Sequence, residues 1–272
     1  MMKKKGVAFL KIAVAQFSPT WENKEQSMAK AESWIKEAAQ KNAEFIFFPE
    51  LSLTGFSMKV DSIRDQLNET ESFMKSSAIK YQIGIGIGYV PAGDGLGRNT
   101  YLIVDANGEQ LLSYDKIHPF SFAKEDQFYQ GGERVVTGNI GGIPVGIGIC
   151  FDLRFPELYR AMMPKPHLLL IPANWPLARI EQWKILLRAR AVENQVFVMG
   201  INCAGNLGGV YYSGESIVVN PLGEVIYSGK KDSEDLFLCE IDDQIEKMRQ
   251  HFPVLEDRKS REFWTLVQES EK

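Results

Sequence analysis

The chain is poor in the residues that hold metals and disulfides. Its 272 residues include only three cysteines, Cys150, Cys203 and Cys239, an odd number without a C-x-x-C spacing, which excludes a disulfide framework and a cysteine zinc site. The three histidines, His118, His167 and His251, lie far apart and fall in no H-x-x-x-H pattern, so no metal or other cofactor is implied and each reads as structural. Positive charge is also scarce: the net charge is −4, and apart from Lys3-Lys4-Lys5 the basic residues are scattered, which argues against a nucleic-acid partner. No stretch approaches the roughly 18 uncharged apolar residues that would span a bilayer. The basic start followed by Gly6-Val-Ala-Phe-Leu10 imitates a secretory leader. Lys11 interrupts that run, however, and Ala13 to Phe17 reads better as a first core strand. A cytoplasmic protein is expected.

What is present is an ordinary globular composition, 44% hydrophobic and 24% charged, with no linker or low-complexity segment, so residues 1–272 read as one domain. After the first strand, residues 22–41 place Met28, Ala31, Trp34, Ile35 and Ala38 at helical spacing, and a strand over 45–48 follows. A helix over 61–80 leads to a strand over 83–90, then to strands 100–104 and 109–113 joined through the hairpin dipeptide Asn107-Gly108. The glycines of Gly84-Ile-Gly-Ile-Gly88 are no dinucleotide fingerprint, because no helix opens after them; they suggest close packing of layers. Ser213-Gly-Glu-Ser216 lacks the G-x-S-x-G pattern of a serine hydrolase elbow. The second half repeats the rhythm: a hairpin across residues 139–142, a strand running into Cys150, a short helix from Pro156, a strand 167–171, a helix 180–194, and strands near 196–202, 215–220, 224–228 and 236–240. Alternating strands and helices with hairpin edges predict an α/β fold of mixed sheets covered by helices.

Three stretches carry chemistry. In the run from Ile143 to Glu157, Cys150 stands where a β-branched segment gives way to a helix start. A side chain there reaches the edge of a sheet with backbone N–H groups beside it, that of Phe151 first, to hold an oxyanion. Glu50 follows Phe45-Ile-Phe-Phe-Pro49, and Lys116 lies in Ser113-Tyr-Asp-Lys-Ile-His-Pro-Phe120. Taken singly, each has a bland reading: a buried thiol, a capping carboxylate, a surface lysine. Together they form a working set. A thiol of pKa about 8.5 needs a base or a cation to supply thiolate; Glu50 can be that base if burial raises its pKa, and Lys116 supplies positive charge.

These stretches, in the order Glu, Lys, Cys and with flanks running from Ala13-Val-Ala-Gln-Phe17 to Phe252-Pro-Val-Leu-Glu-Asp-Arg258, resemble the nitrilase superfamily of carbon–nitrogen hydrolases. The resemblance implies a four-layer α-β-β-α sandwich with the three residues converging at one end of the sheets. It implies that Glu50, Lys116 and Cys150 are catalytic, that Cys150 forms a thioester, and that a second glutamate, Glu125, fixes Lys116 and the substrate nitrogen. It also implies a homodimer docking through helices and the segment of about 241–272, where Met248, Phe252, Val254, Leu255, Phe263, Trp264 and Val267 offer apolar surface.

Phe151-Asp-Leu-Arg154-Phe-Pro-Glu157 and Ala173-Asn-Trp175-Pro-Leu-Ala-Arg179 resemble most the omega-amidase branch, which hydrolyses 2-oxo dicarboxylic acid monoamides such as 2-oxoglutaramate. Arg154 or Arg179 would then clamp the substrate carboxylate. Arg154 reads equally well as an ion-pair partner of Glu157 or Asp152, and Trp175 as a pocket wall or as core. A nitrilase or an N-carbamoyl-amino-acid amidohydrolase would use the same three residues. A glutaminase component of a synthetase, or a silent binding scaffold, fits less well.

Overall fold

The computed structural model describes residues 9–242 and 244–259. Its first half contains β1 (Phe9–Gln16), α1 (Lys24–Gln40), β2 (Phe45–Phe47), α2 (Val60–Ile63), α3 (Glu69–Tyr81), β3 (Gly84–Tyr89), β4 (Thr100–Val104) and β5 (Gln110–Asp115). The second contains β6 (Thr137–Ile140), β7 (Ile143–Ile147), α4 (Pro156–Met162), β8 (Leu168–Ala173), α5 (Ile180–Asn194) and β9 (Phe197–Asn202). It continues with β10 (Ala204–Leu207), β11 (Val210–Ser213), β12 (Ile217–Val219), β13 (Val225–Ser228), β14 (Asp235–Asp242) and α6 (Ile245–His251). Two six-stranded sheets result, ordered β14-β1-β2-β3-β4-β5 and β13-β12-β9-β8-β7-β6.

Each sheet has three parallel central strands, β1-β2-β3 or β7-β8-β9, flanked by antiparallel ones. Parallel strands are covered on both faces, and the core clusters show how. Ile12, Val14, Phe47 and Tyr101 of one sheet meet Val145, Ile147, Leu170 and Met199 of the other between the sheets. Ala31, Ile35 and Ala38 of α1 and Met74 of α3 cover the outer face of the first sheet, and Tyr159 of α4 with Trp183 and Leu187 of α5 cover that of the second. The layers are α-β-β-α, as the resemblance implies.

Local sequence explains most boundaries. Asn23 caps α1, its Oδ1 accepting the Gln26 N–H at 3.0 Å. The buried stripe of this helix is Ser27, Ala31, Ile35 and Ala38, with Met28 and Trp34 packed at its margins. The glycine ladder of β3 does what its spacing suggests: a Cβ at Gly84 or Gly86 would collide with the rings of Phe45 and Phe47, and one at Gly88 with the backbone of Glu50 and Leu51. The loop that follows β2 can therefore lie flat against β3.

Three expectations need correction. The helix over 61–80 is two helices, because Arg64 turns out to give its guanidinium to the carbonyls of Gly93 and Gly95. Asp65 restarts the chain by accepting the Thr70 N–H at 2.9 Å and its hydroxyl at 2.8 Å; such side-chain bonds compete with helix propagation. The strand toward Cys150 ends at Ile147, and residues Cys150–Arg154 form a 3-10 turn before Pro156 opens α4. The hairpin β10–β11 was not expected, although Gly208-Gly209, both at positive φ, is a hairpin signal. Phe263, Trp264 and Val267 of the expected dimer contact, like the basic start, lie outside the described residues.

Candidate active site

Strand direction gathers the site. β2 and β7 are parallel central strands, and β5, two antiparallel steps from β3, points the same way as β3. Residues just past their C-terminal ends, Glu50, Lys116 and Cys150, therefore arrive at one edge of the sandwich, joined by Asn174 from the end of β8.

The Glu50 loop is held from below. The Tyr101 hydroxyl donates to the Phe48 carbonyl at 2.8 Å, and the Gly88 N–H donates to Ser52 Oγ at 3.0 Å. Glu50 is 1% exposed, Lys116 2% and Glu125 0%. Lys116 Nζ donates to Glu50 Oε1 at 2.9 Å and to both Glu125 oxygens, at 3.1 and 2.9 Å. Glu50 Oε2 accepts the Asn174 backbone N–H at 2.9 Å, while Asn174 Nδ2 donates to the Glu50 carbonyl at 2.8 Å. Asn99 Nδ2 reaches Glu50 Oε1 at 2.8 Å and Glu125 Oε1 at 3.1 Å.

Cys150 has φ +47°, a left-handed conformation that a non-glycine residue keeps only when its surroundings impose it. Asp152 imposes it. Its buried carboxylate accepts the Ile149 N–H at 2.9 Å, the Tyr114 hydroxyl at 2.7 Å and the His118 N–H at 3.0 Å. Asp152 thereby also holds His118, whose ring lies 2.7 Å from it and stacks on Phe155 at 3.8 Å. Cys150 Sγ lies 3.9 Å from the Asn174 carbonyl.

The electrostatics correct one expectation. Burial pushes the Glu50 carboxyl up, but the charge of Lys116 and the hydrogen bonds from Lys116, Asn174 and Asn99 outweigh it, so Glu50 lies below the usual carboxylate range. Burial pulls Lys116 down, and the two carboxylates more than reverse that, holding it firmly charged. Burial raises the Cys150 thiol well above its usual value, Glu50 adds to the rise, and Lys116 opposes it. The resting site therefore pairs a neutral thiol with an ionised carboxylate.

Cys150 and Lys116 open onto a cavity of about 340 Å³. Its other walls include Trp175, Arg154 and Arg179, together with Phe56, Phe120 and Phe122, and with Val210 and Tyr212 from the unforeseen hairpin. Trp175 satisfies both of its readings: it lines the cavity, is buried, and packs 5.4 Å from Trp183. Arg154 pairs with neither Glu157 nor Asp152. It donates to Gln182 Oε1 at 2.5 Å and lies 5.0 Å from the centre of the Trp175 ring, with burial and the nearby Arg179 charge lowering its proton affinity. Arg179 lies 5.3 Å from the Phe120 ring centre. Among the described residues, no carboxylate forms an ion pair with either arginine, and no group of three or more His, Cys, Asp or Glu is placed to hold a metal ion.

A buried carboxylate–ammonium–carboxylate cluster beside a strand-end thiol, in an α-β-β-α sandwich, defines the class of nitrilase-type α/β hydrolases. The comparisons agree. The family model of carbon-nitrogen hydrolases matches residues 11–250, and the chain belongs to that family of enzymes, which cleave carbon–nitrogen bonds other than peptide bonds. The 2-oxoglutaramate amidase of Bacillus subtilis is 32% identical over 251 residues, covering 90% of this chain and 96% of that protein. The omega-amidase YafV of Yersinia enterocolitica is 30% identical over 253 residues, covering 91% and 96%. A CN-hydrolase superfamily protein of Xanthomonas campestris, solved with an arsenic adduct in its active site, superposes with a TM-score of 0.86 at 27% identity over 93% of this chain and 98% of that one.

Proposed function

We propose that the protein is a cysteine-dependent amidohydrolase that releases ammonia from the terminal amide of a small carboxylate-bearing substrate, a 2-oxo dicarboxylic acid monoamide such as 2-oxoglutaramate. The observation that carries the substrate class is the pair Arg154 and Arg179: two guanidiniums share one small cavity with Cys150, and no carboxylate of the described residues neutralises them. A substrate carboxylate supplies the missing charge, and its bidentate match to guanidinium fixes which end of the molecule meets the thiol. The relatives named 2-oxoglutaramate amidase and omega-amidase support the same choice.

In this reading Glu50, already ionised, takes the Cys150 proton as the sulfur bonds to the amide carbon. The carbonyl π electrons move to oxygen, and Lys116 with the Phe151 N–H stabilises the oxyanion, each such donor contributing roughly 3 kcal/mol. Collapse of the tetrahedral adduct breaks the C–N bond. Glu50 returns its proton to the leaving nitrogen, and ammonia departs from a thioester. Glu50 then takes a proton from water, hydroxide adds to the thioester, and the C–S bond breaks with the proton returned to sulfur. Glu125 keeps Lys116 aimed and charged throughout.

In the same reading the chains are single domains paired as cytoplasmic homodimers. Exposed Phe252, with Val254 and Leu255, offers part of the contact, and sedimentation at micromolar concentration giving the single-chain mass would count against the pairing. Among the described residues no helix is long and apolar enough to cross a membrane.

The test of the function is ammonia release from 2-oxoglutaramate, glutamine, an N-carbamoyl amino acid and a simple nitrile. Preference for the oxo-amide, lost in Cys150→Ala, supports the reading. Preference for the nitrile or the carbamoyl compound replaces the substrate, and release unaffected by the substitution replaces the nucleophile.

A further inference from the structure

Asn99 is absent from the Glu-Lys-Cys set, yet its side chain is tied both to Glu50 and to Glu125. It stands immediately before β4, 2% exposed, and its backbone carbonyl accepts the Lys116 N–H at 2.9 Å. Its single amide nitrogen donates to Glu50 Oε1 at 2.8 Å and to Glu125 Oε1 at 3.1 Å. Lys116 Nζ bridges those same two oxygens, at 2.9 and 3.1 Å. Two donors and two acceptors thus close a four-membered ring of hydrogen bonds. The orientation of the amide is fixed by chemistry, since exchanging its nitrogen and oxygen would aim a carbonyl at two carboxylates. Its Oδ1, buried, has no hydrogen-bond partner, so the arrangement leaves one acceptor unsatisfied and keeps both N–H groups on the carboxylates.

Charge explains why a second bridge is needed. The titratable groups around Glu50 are Lys116 from the end of β5, Glu125 from the 3-10 turn Glu125–Gln127, Cys150 from the turn after β7, and, further out, the thiol of Cys203 after β9 and the phenol of Tyr212 in β11. The Tyr129 phenol, also in the electrostatic field of this cluster, is committed to the Ser57 carbonyl at 2.6 Å. Two buried carboxyl groups, Glu50 and Glu125, therefore face one buried ammonium. A buried Glu50 carboxylate that shares its ammonium with a second carboxyl group is favoured when neutral donors add to that ammonium.

We propose that Asn99 is a positioning residue for proton transfer: its amide, with Lys116, clamps Glu50 to Glu125 so that Glu50 stands ionised and oriented to take the proton of Cys150. This rests on the reading of Glu50 as the base. When Glu50 takes the thiol proton, the negative charge passes from its carboxylate to sulfur and on to the substrate oxygen, and the Asn99 bond to Glu50 becomes one to a neutral acid. The clamp thus acts on the difference between the two states of the base.

The experiment follows alkylation of Cys150 by iodoacetamide, a small amide electrophile, against pH, with the Cys150 peptide quantified by mass spectrometry so that Cys203 and Cys239 do not interfere. No substrate need be known. In the wild type the rate falls at acid pH as Glu50 takes up a proton. In Asn99→Leu, of similar size but without donors, that acid limb is expected to move up by about one pH unit or more, the scale of a lost hydrogen bond to a charged group. Asn99→Ser, which keeps one donor, should fall between. A limb unmoved in both variants, or a uniform loss of rate at every pH, would overturn the proposal, and thermal melting separates the second case from misfolding. Glu50→Gln is the control for the underlying reading: if it leaves the wild-type limb in place, Glu50 is not the base, and the failure belongs to that assignment and not to Asn99.

Discussion

The two charged regions of the cavity differ in how completely they are neutralised. At one end Glu50, Lys116 and Glu125 are buried and satisfied by one another, by Asn99 and by Asn174. At the other, Arg154 and Arg179 lean on the rings of Trp175 and Phe120 and meet no carboxylate of the described residues. In the proposed function this contrast separates chemistry from recognition. A cluster that closes on itself is ready to move protons before any ligand arrives, whereas a cationic wall backed by aromatic faces is completed by what binds. The same fold supplies Glu50 and Lys116 from strand ends, and Glu125 and both arginines from the turns that follow such ends.

The comparison breaks most sharply if the reacting atoms are elsewhere. Cys150→Ala should lower kcat by about 10⁴-fold or more, as for other nucleophiles that work with a base as one unit, while ligand binding at the arginines survives; the rate of ammonia release checks the first half and isothermal titration with the 2-oxo dicarboxylate product the second. Next in size is the internal balance of the cluster. Lys116→Met leaves two buried carboxylates facing each other and should destabilise the fold by roughly 3–5 kcal/mol, seen as a lowered Tm; an unchanged Tm would mean that the cluster is not compensated as described. The arginines should behave in the opposite way. Arg179→Met is expected to leave Tm within a degree or two yet raise KM for a carboxylate-bearing amide about 10- to 100-fold, the scale of lost charge-assisted hydrogen bonds, with little change for an uncharged amide of the same length.

The smallest effect is in pH. Glu50 titrates below its unfolded value, so its stabilising contribution is present above that value, about 4.3, and is lost as pH falls through the folded pKa. Lys116 titrates above its unfolded value, so its contribution is complete below about 10.4 and is lost as pH rises through the folded pKa. Stability should therefore be nearly flat across neutral pH as far as these two groups are concerned, and Glu50→Gln should flatten the acid side further; a midpoint that shifts strongly between pH 6 and 8 in the wild type but not in the variant would contradict the assignment.

The strand-end positions of Glu50 and Cys150, which the proposed function takes as reacting residues, were legible in the sequence because their flanks are local. An apolar strand followed by Glu50, or by Cys150 and the helix at Pro156, reads as a strand end wherever it occurs, and α5 emerged with the boundaries its periodicity gives. The groups that hold the set in place were not legible. Asn99 reaches Glu50 across 49 residues, Asn174 reaches it across 124, and Tyr114 reaches Asp152 across 38. An asparagine or aspartate that works by donating or accepting across such separations looks, in sequence, like any turn residue. The same blindness explains the missed break after Ile63, where helical periodicity continues but Arg64 and Asp65 have better partners elsewhere. It explains the depressed carboxyl of Glu50 too: burial alone raises a carboxyl, and only the assembled neighbours reverse the sign.

The most direct test of the account is to mix the protein with 2-oxoglutaramate, quench in acid within the first turnovers, and read the mass of the Cys150 peptide. A 2-oxoglutaryl thioester on Cys150, accumulating with an equal burst of ammonia, is the expected result. Ammonia released without any adduct on Cys150, and released equally by Cys150→Ala, would contradict it.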